Sequence, residues 1–168
     1  RTYAAERPRT GSGMFKAMID MYRALPAWMA PRIRGMFDCL ANGRSPLVVH
    51  CAAGKDRTGL AIAVLLRTLG VPHETVVEDY LLTNEVGDFE QFIRAQQAAQ
   101  LGLADSHKPL LAMPEDVRRV LFSADVAFLE GAFEVIEETF GGLDAYLESA
   151  AGITPALRER VASELLDR

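Results

Sequence analysis

What the chain has little of narrows its function first. It holds two cysteines, three histidines and one tryptophan in 168 residues. Cys39 and Cys51 cannot build a zinc quartet or a disulfide framework. They point to a reducing compartment or to a thiol with chemistry of its own. No apolar run approaches the ~18 residues that a membrane-spanning helix needs, so stable membrane insertion is not expected. Basic residues are outnumbered, 18 against 23, and the net charge of -5 argues against a non-specific nucleic-acid binder. The segment from Arg1 to Arg7 is charged and lacks an apolar core, so it is no signal peptide. A cytoplasmic protein, or one secreted without a visible leader, is expected. The first residue is not methionine, which leads us to expect an earlier segment. Repeats and low-complexity tracts are absent. What remains, 49% of it hydrophobic, suits one domain over residues 1–168, enough to bury roughly 70% of its unfolded surface.

The pattern is mostly helical. Residues 1–13 read as a loop. Met14, Phe15, Met18, Ile19, Tyr22 and Leu25 recur at helical spacing, and Pro26 is expected to end that run. A second helix is expected to start at Pro31 and to stop at Asn42-Gly43. Pro46 to His50 reads as a short strand buried on both faces, as in a parallel sheet flanked by helices. Leu60 to Leu66 is apolar around its circumference, which predicts a central, buried helix ending at Gly70. A helix over 72–82 closed by Asn84 follows. Next come an amphipathic helix bearing Phe89, Phe92 and Ile93, a break over 102–109, and a short helix after Pro114. Ser123 is expected to cap a long helix that Gly141-Gly142 stops. A short helix over 143–149 and a last helix, opened by Thr154 as cap and Pro155 as first residue, complete the chain. One strand cannot satisfy its own backbone, so either strands precede residue 1 or the sheet is completed in another way.

Between that strand and the buried helix stands His50-Cys51-Ala52-Ala53-Gly54-Lys55-Asp56-Arg57-Thr58-Gly59. Five residues separate Cys51 from Arg57, a loop of the right size to wrap one phosphate. Cleaving a phosphate ester needs a nucleophile, donors for the anionic oxygens and a proton for the leaving oxygen. Cys51 suits the first role if a helix N-terminus and cationic neighbours make it a thiolate. The amides of residues 52–57 and the planar fork of Arg57 suit the second. Gly54 allows the positive φ that turns loop N–H groups inward. Thr58 can donate to the sulfur, Lys55 adds charge at the rim, and His50 is expected to orient the loop by hydrogen bonding. Asp56 is the best candidate for proton transfer. This chemistry needs neither metal nor cofactor.

Other readings compete. A nucleotide-binding glycine loop would need Gly at position 49 and Ser or Thr at position 56, and Val49 and Asp56 stand there. A phosphate-binding module without turnover and a redox protein pairing Cys51 with Cys39 both remain open from the residues alone. Cys39 reads as a buried helical residue, His73 and His107 as surface residues, and Phe128, Phe133 and Phe140 as core.

The His50–Gly59 stretch resembles the signature loop of cysteine-dependent protein tyrosine phosphatases. Its Lys55-Asp56-Arg57 version is similar to an atypical bacterial subgroup with members active on phosphotyrosine, phosphoserine/threonine and phosphoinositides. Asp79 to Asn84 and Gly141 to Leu147 resemble later segments of that subgroup. The resemblance implies a phosphocysteine intermediate on Cys51, phosphate binding by Arg57, and catalytic contributions from Lys55 and Asp56. It implies a phosphorylated protein or phosphoinositide as partner, and leaves the oligomeric state open. It also implies a parallel sheet flanked by helices, N-terminal strands lying upstream, and a helical lid, which we assign to residues 86–122 with Phe89, Phe92 or Phe122 facing the substrate.

Overall fold

One long helix organises the rest. The computed structural model describes residues 9–98 and 110–166, and within them α1 runs unbroken from Gly11 to Ala41. Thr10 caps it by accepting from the Gly13 N–H at 3.2 Å. The helix has no acidic residue in its first turn. It uses Asp116 instead, whose Oδ2 lies 2.6 Å from the Gly11 N–H and meets the positive end of the helix dipole. Met14, Met18, Tyr22, Leu25, Met29, Ile33, Phe37 and Leu40 form one buried stripe.

The expected break at Pro26 and fresh start at Pro31 are therefore corrected: both prolines lie inside α1. Each interior proline costs about 3 kcal/mol. Burial of the eight side chains of the stripe, at about 1.5–3 kcal/mol each, outweighs that cost. Pro26 also has a local compensation, because its carbonyl accepts the buried Tyr146 hydroxyl at 2.8 Å. The stripe packs against α2 (Asp56–Thr68), α6 (Glu115–Phe122), α7 (Val126–Phe140) and α9 (Pro155–Leu166).

After α1 the chain turns through Asn42 and Gly43, the latter at φ +68°. No strand forms among the described residues. The run Pro46–His50 is irregular, and Val48 is 82% exposed. A β-branched run becomes a strand only where a neighbouring strand takes its N–H and C=O groups, and none lies alongside here. The architecture of the described residues is thus helical, and the parallel sheet is not seen in them.

The remaining helices surround the stripe. In α2 only Leu60, Ala61, Ala63 and Val64 are fully buried. Ile62, Leu65 and Leu66 are half-buried, so α2 is one-sided and not the central helix its sequence suggested. Gly70, at φ +84°, follows it. Next come α3 (His73–Leu81), α4 (Thr83–Val86) and α5 (Phe89–Ala98). Asn84 does not close a helix; it lies within α4, and its amide clamps Ala124 from both sides, accepting from the N–H at 2.7 Å and donating to the carbonyl at 2.9 Å. The break expected over 102–109 and His107 lie outside the described residues. The cap of α7 is Asp125, which accepts from the Ala127 N–H at 2.9 Å, and not Ser123. Gly141 and Gly142, at φ +82° and +115°, stop α7 and lead into α8 (Leu143–Ser149). Thr154 opens α9 by accepting from the Leu157 N–H at 3.3 Å. No helix among the described residues is long and apolar enough to cross a membrane.

Candidate active site

The loop of residues 51–55 leads directly into α2, whose first residue is Asp56. Gly54 takes φ +72°, a conformation only glycine adopts without strain. That turn brings the backbone N–H groups of Ala53, Gly54 and Thr58 onto the Cys51 sulfur. Burial pushes the Cys51 thiol up, but these amides and the Thr58 hydroxyl outweigh it, so the thiol ends below its ordinary value. The N-terminus of a 13-residue helix points at the same atom and favours negative charge there. The Thr58 Oγ1 is buried and makes no well-formed hydrogen bond in this geometry. Its effect on the thiol is that of a donor held ready for the sulfur's charge.

Arg57 is half-buried and has no hydrogen bond or ion pair among the described residues. Its fork is free for an anion. His50 is exposed and likewise makes no hydrogen bond among the described residues, so the orienting contact expected of it is not made. A single exposed imidazole with water around it gains little by ordering itself against a loop. Ala52 and Gly54 are exposed and Ala53 is half-buried.

Lys55 also differs from expectation. It is 3% exposed and not free at the rim: it borders a neighbouring cavity while its ammonium is held by protein partners. Its Nζ donates to the Ser123 carbonyl at 2.9 Å and pairs with Asp56 Oδ1 at 2.8 Å. A buried ammonium needs partners of this kind to offset its desolvation. Asp56 Oδ1 takes a second donor, the Tyr22 hydroxyl at 2.9 Å, and Tyr22 and Tyr80 join hydroxyl to hydroxyl at 2.7 Å. Burial, and then the neighbouring Asp56 charge, push the Tyr22 phenol far up; burial does the same to Tyr80. Both phenols therefore stay protonated and act as donors. Sequence reading places Tyr22 in the apolar stripe and misses its polar end. The available signal is the phenol itself, since a buried tyrosine hydroxyl requires a partner.

A cavity of about 520 Å³ adjoins the loop, with Ala53, Lys55 and Thr83 on one side and Phe89, Phe92 and Phe122 on the other. The Phe89 and Phe122 rings meet edge to face, 5.1 Å between centroids. A larger recess of about 620 Å³ lies beyond, carrying Glu85, Asp88, Glu90 and Glu115. It touches no residue of the 51–55 loop, whereas the smaller one touches Ala53 and Lys55; neither lining includes Cys51 or Arg57. Cys39 and Cys51 are both free, half-buried thiols. Phe128 is fully buried, Phe133 and Phe140 pack against the core, and His73 is half-buried against Glu130 at 2.6 Å. No group of three or more metal-ligating side chains occurs among the described residues.

Comparison with known proteins agrees with this geometry. A protein of Cupriavidus necator assigned to the tyrosine-protein phosphatases is 31% identical over 151 residues, 89% of this chain and 51% of the relative. The triple specificity protein phosphatase PtpB of Mycobacterium tuberculosis is 30% identical over 152 residues, 89% of this chain and 54% of the relative. A tyrosine-protein phosphatase of Nostoc commune shares 37% over 54 residues, 32% of this chain and 18% of the relative. The chain thus spans about half the length of the first two relatives. Residues 1–167 match the sequence pattern described as the tyrosine phosphatase family. With that match running from end to end, and with a thiol and a free guanidinium brought to one loop, the chain belongs to the tyrosine phosphatase family.

Proposed function

We propose that this chain carries the reacting groups of a protein tyrosine phosphatase that hydrolyses phosphate monoesters through a phosphocysteine intermediate. The observation that carries the reading is the pairing of a thiol held below its ordinary pKa by the Thr58 hydroxyl and three backbone amides with an Arg57 that has no protein partner among the described residues. The Cys51 thiolate attacks phosphorus. The amides of residues 52–57 and the Arg57 fork hold the non-bridging oxygens. The bond from phosphorus to the ester oxygen breaks, and Asp56 gives that oxygen a proton. Water then attacks phosphorus, Asp56 takes a proton from it, and the electron pair of the S–P bond returns to Cys51. A hydroxyl at Thr58 stabilises the leaving sulfur, and phosphate departs. Lys55 contributes by fixing Asp56 and by keeping positive charge beside the loop.

The ring-lined cavity next to Ala53 and Lys55 favours an aromatic ester, so phosphotyrosine is the primary substrate. Phosphoserine/threonine and phosphoinositide esters are further substrates, in keeping with a relative named for triple specificity. The segment of residues 86–122, whose described helices α5 and α6 carry those rings, acts as a lid. The test is a turnover panel with a phosphotyrosine peptide, a phosphoserine peptide and a phosphoinositide on the full-length protein and on Cys51→Ser. Wild type is expected to release phosphate fastest from phosphotyrosine, and Cys51→Ser to release none while still binding the peptide. Turnover retained in Cys51→Ser would sink the mechanism. Phosphopeptide binding with no phosphate release by wild type would favour a binding module.

A further inference from the structure

Asp56 is held unevenly, and the unevenness has a consequence for proton transfer. Its Oδ1 receives two donors, Lys55 Nζ at 2.8 Å and the Tyr22 hydroxyl at 2.9 Å. Its Oδ2 has no hydrogen-bond partner among the described residues and is not a buried orphan, so it reaches solvent. A protonated carboxyl places its hydrogen on the oxygen whose lone pairs are uncommitted. With Oδ1 facing two N–H and O–H donors, that oxygen is Oδ2.

The hydroxyls behind Oδ1 are ordered by valence. Tyr22 has one hydrogen and gives it to Oδ1. The Tyr22–Tyr80 contact at 2.7 Å then needs its hydrogen from Tyr80. Burial keeps both phenols protonated, so this polarity does not reverse in the working pH range. Tyr22 is wholly buried, with its ring 5.6 Å from that of Phe128 and edge-on to Tyr80. A phenylalanine would fill the same space without the hydroxyl.

Space for the second tyrosine is built into the first turn of α2. A Cβ added at Gly59 would lie 2.8 and 2.9 Å from two ring carbons of Tyr80, closer than such atoms approach. Gly59 has no positive φ to explain it. Its missing side chain is what lets the Tyr80 ring lie against the helix that carries Asp56.

We propose that Tyr22 is a positioning residue for the proton-transfer step: backed by Tyr80, it clamps Asp56 Oδ1 so that Oδ2 carries and delivers the proton to the ester oxygen. The inference rests on the phosphatase reading above, and it is tested by leaving-group dependence. An activated ester such as p-nitrophenyl phosphate needs little help from an acid. Phenyl phosphate needs much, because positioned acids contribute roughly 10²–10⁴-fold. In full-length Tyr22→Phe, kcat on phenyl phosphate is expected to fall at least about tenfold further than kcat on p-nitrophenyl phosphate, with little change in either KM. In an Asp56→Asn background the same substitution is expected to add no further leaving-group effect. Equal losses on both substrates, or a leaving-group effect that persists without the Asp56 carboxyl, would overturn the proposal. If Tyr22→Phe does not fold, Tyr80→Phe, which removes only the outer hydroxyl, is expected to show the same substrate bias at smaller size, and its absence would be equally fatal. Wild type that hydrolyses neither ester overturns the phosphatase reading itself; wild-type turnover with an unbiased Tyr22→Phe overturns only the role of Tyr22.

Discussion

The two faces of the 51–59 segment are built on opposite rules. On the side toward Tyr22 and Ser123, polar groups are matched: Lys55 has Ser123 and Asp56, Asp56 Oδ1 has Lys55 and Tyr22, and Tyr22 has Tyr80. In front, Arg57 and His50 have no hydrogen bonds among the described residues, and the Thr58 hydroxyl makes no well-formed one. Full pairing in a buried network fixes shape. Missing pairing, at a position where amides already converge on a thiol, leaves capacity for a ligand. The same short stretch thus divides into a part that holds and a part left open.

That division can be broken one side at a time. Arg57→Lys keeps the front charge but loses the planar fork. It is expected to lower kcat/KM on a phosphotyrosine peptide by about 10²–10³-fold while leaving the melting temperature near wild type, since Arg57 supports no protein contact among the described residues. A comparable loss of melting temperature would show that Arg57 belongs to the structural side after all. Lys55→Met is the reverse experiment. It strands the Ser123 carbonyl and removes one donor from Asp56, at a cost of about 2–4 kcal/mol in denaturant unfolding. A variant as stable as wild type would place Lys55 in front.

The finest cut is at Thr58. Removing its hydroxyl in Thr58→Val takes away one of the donors that lower the Cys51 thiol, so the pH midpoint of Cys51 alkylation is expected to rise toward that of an ordinary thiol. Stability at neutral pH should change by no more than about 0.5 kcal/mol. The sign follows from linkage. A folded-state pKa below the unfolded one contributes stability in full above the unfolded value, and that contribution is lost as pH falls through the folded value. Wild type should therefore lose this part of its stability on going from alkaline to acidic pH, and Thr58→Val should lose less over the same window. An alkylation midpoint unmoved by the substitution would remove Thr58 from the sulfur's environment.

The family and the local turn of the front were legible because they depend on residue identity at fixed spacing: a thiol, five residues, a guanidinium and a glycine able to take φ +72°. The back was not. Tyr22 falls on an apolar helical stripe, where periodicity reports burial and says nothing of a hydroxyl at the ring's end. Lys55 reads as a rim charge because lysines usually are exposed; its buried partners come from residues 1 and 68 positions away. The helix stop at Pro26 failed because local propensity is a weak prior against tertiary packing. The strand expected over Pro46–His50 is not seen for the opposite reason: its sequence favours extension, but no neighbour completes the ladder among the described residues. The caps at Gly141-Gly142 and Thr154-Pro155, set by local backbone geometry alone, were read correctly.

The junction of α6 and α7 has a metrical consequence. Ser123 is tied to Lys55 and the next residue, Ala124, is tied by both its backbone groups to Asn84. Phe122, the residue before them, is therefore referenced to the phosphate loop by a strut only a few bonds long. The Phe89 ring, carried by α5, rests edge to face against that of Phe122. On the proposed reading, the Phe122 ring is a depth stop zeroed on the loop, gauging each ester by how far its first bulky group stands from phosphorus.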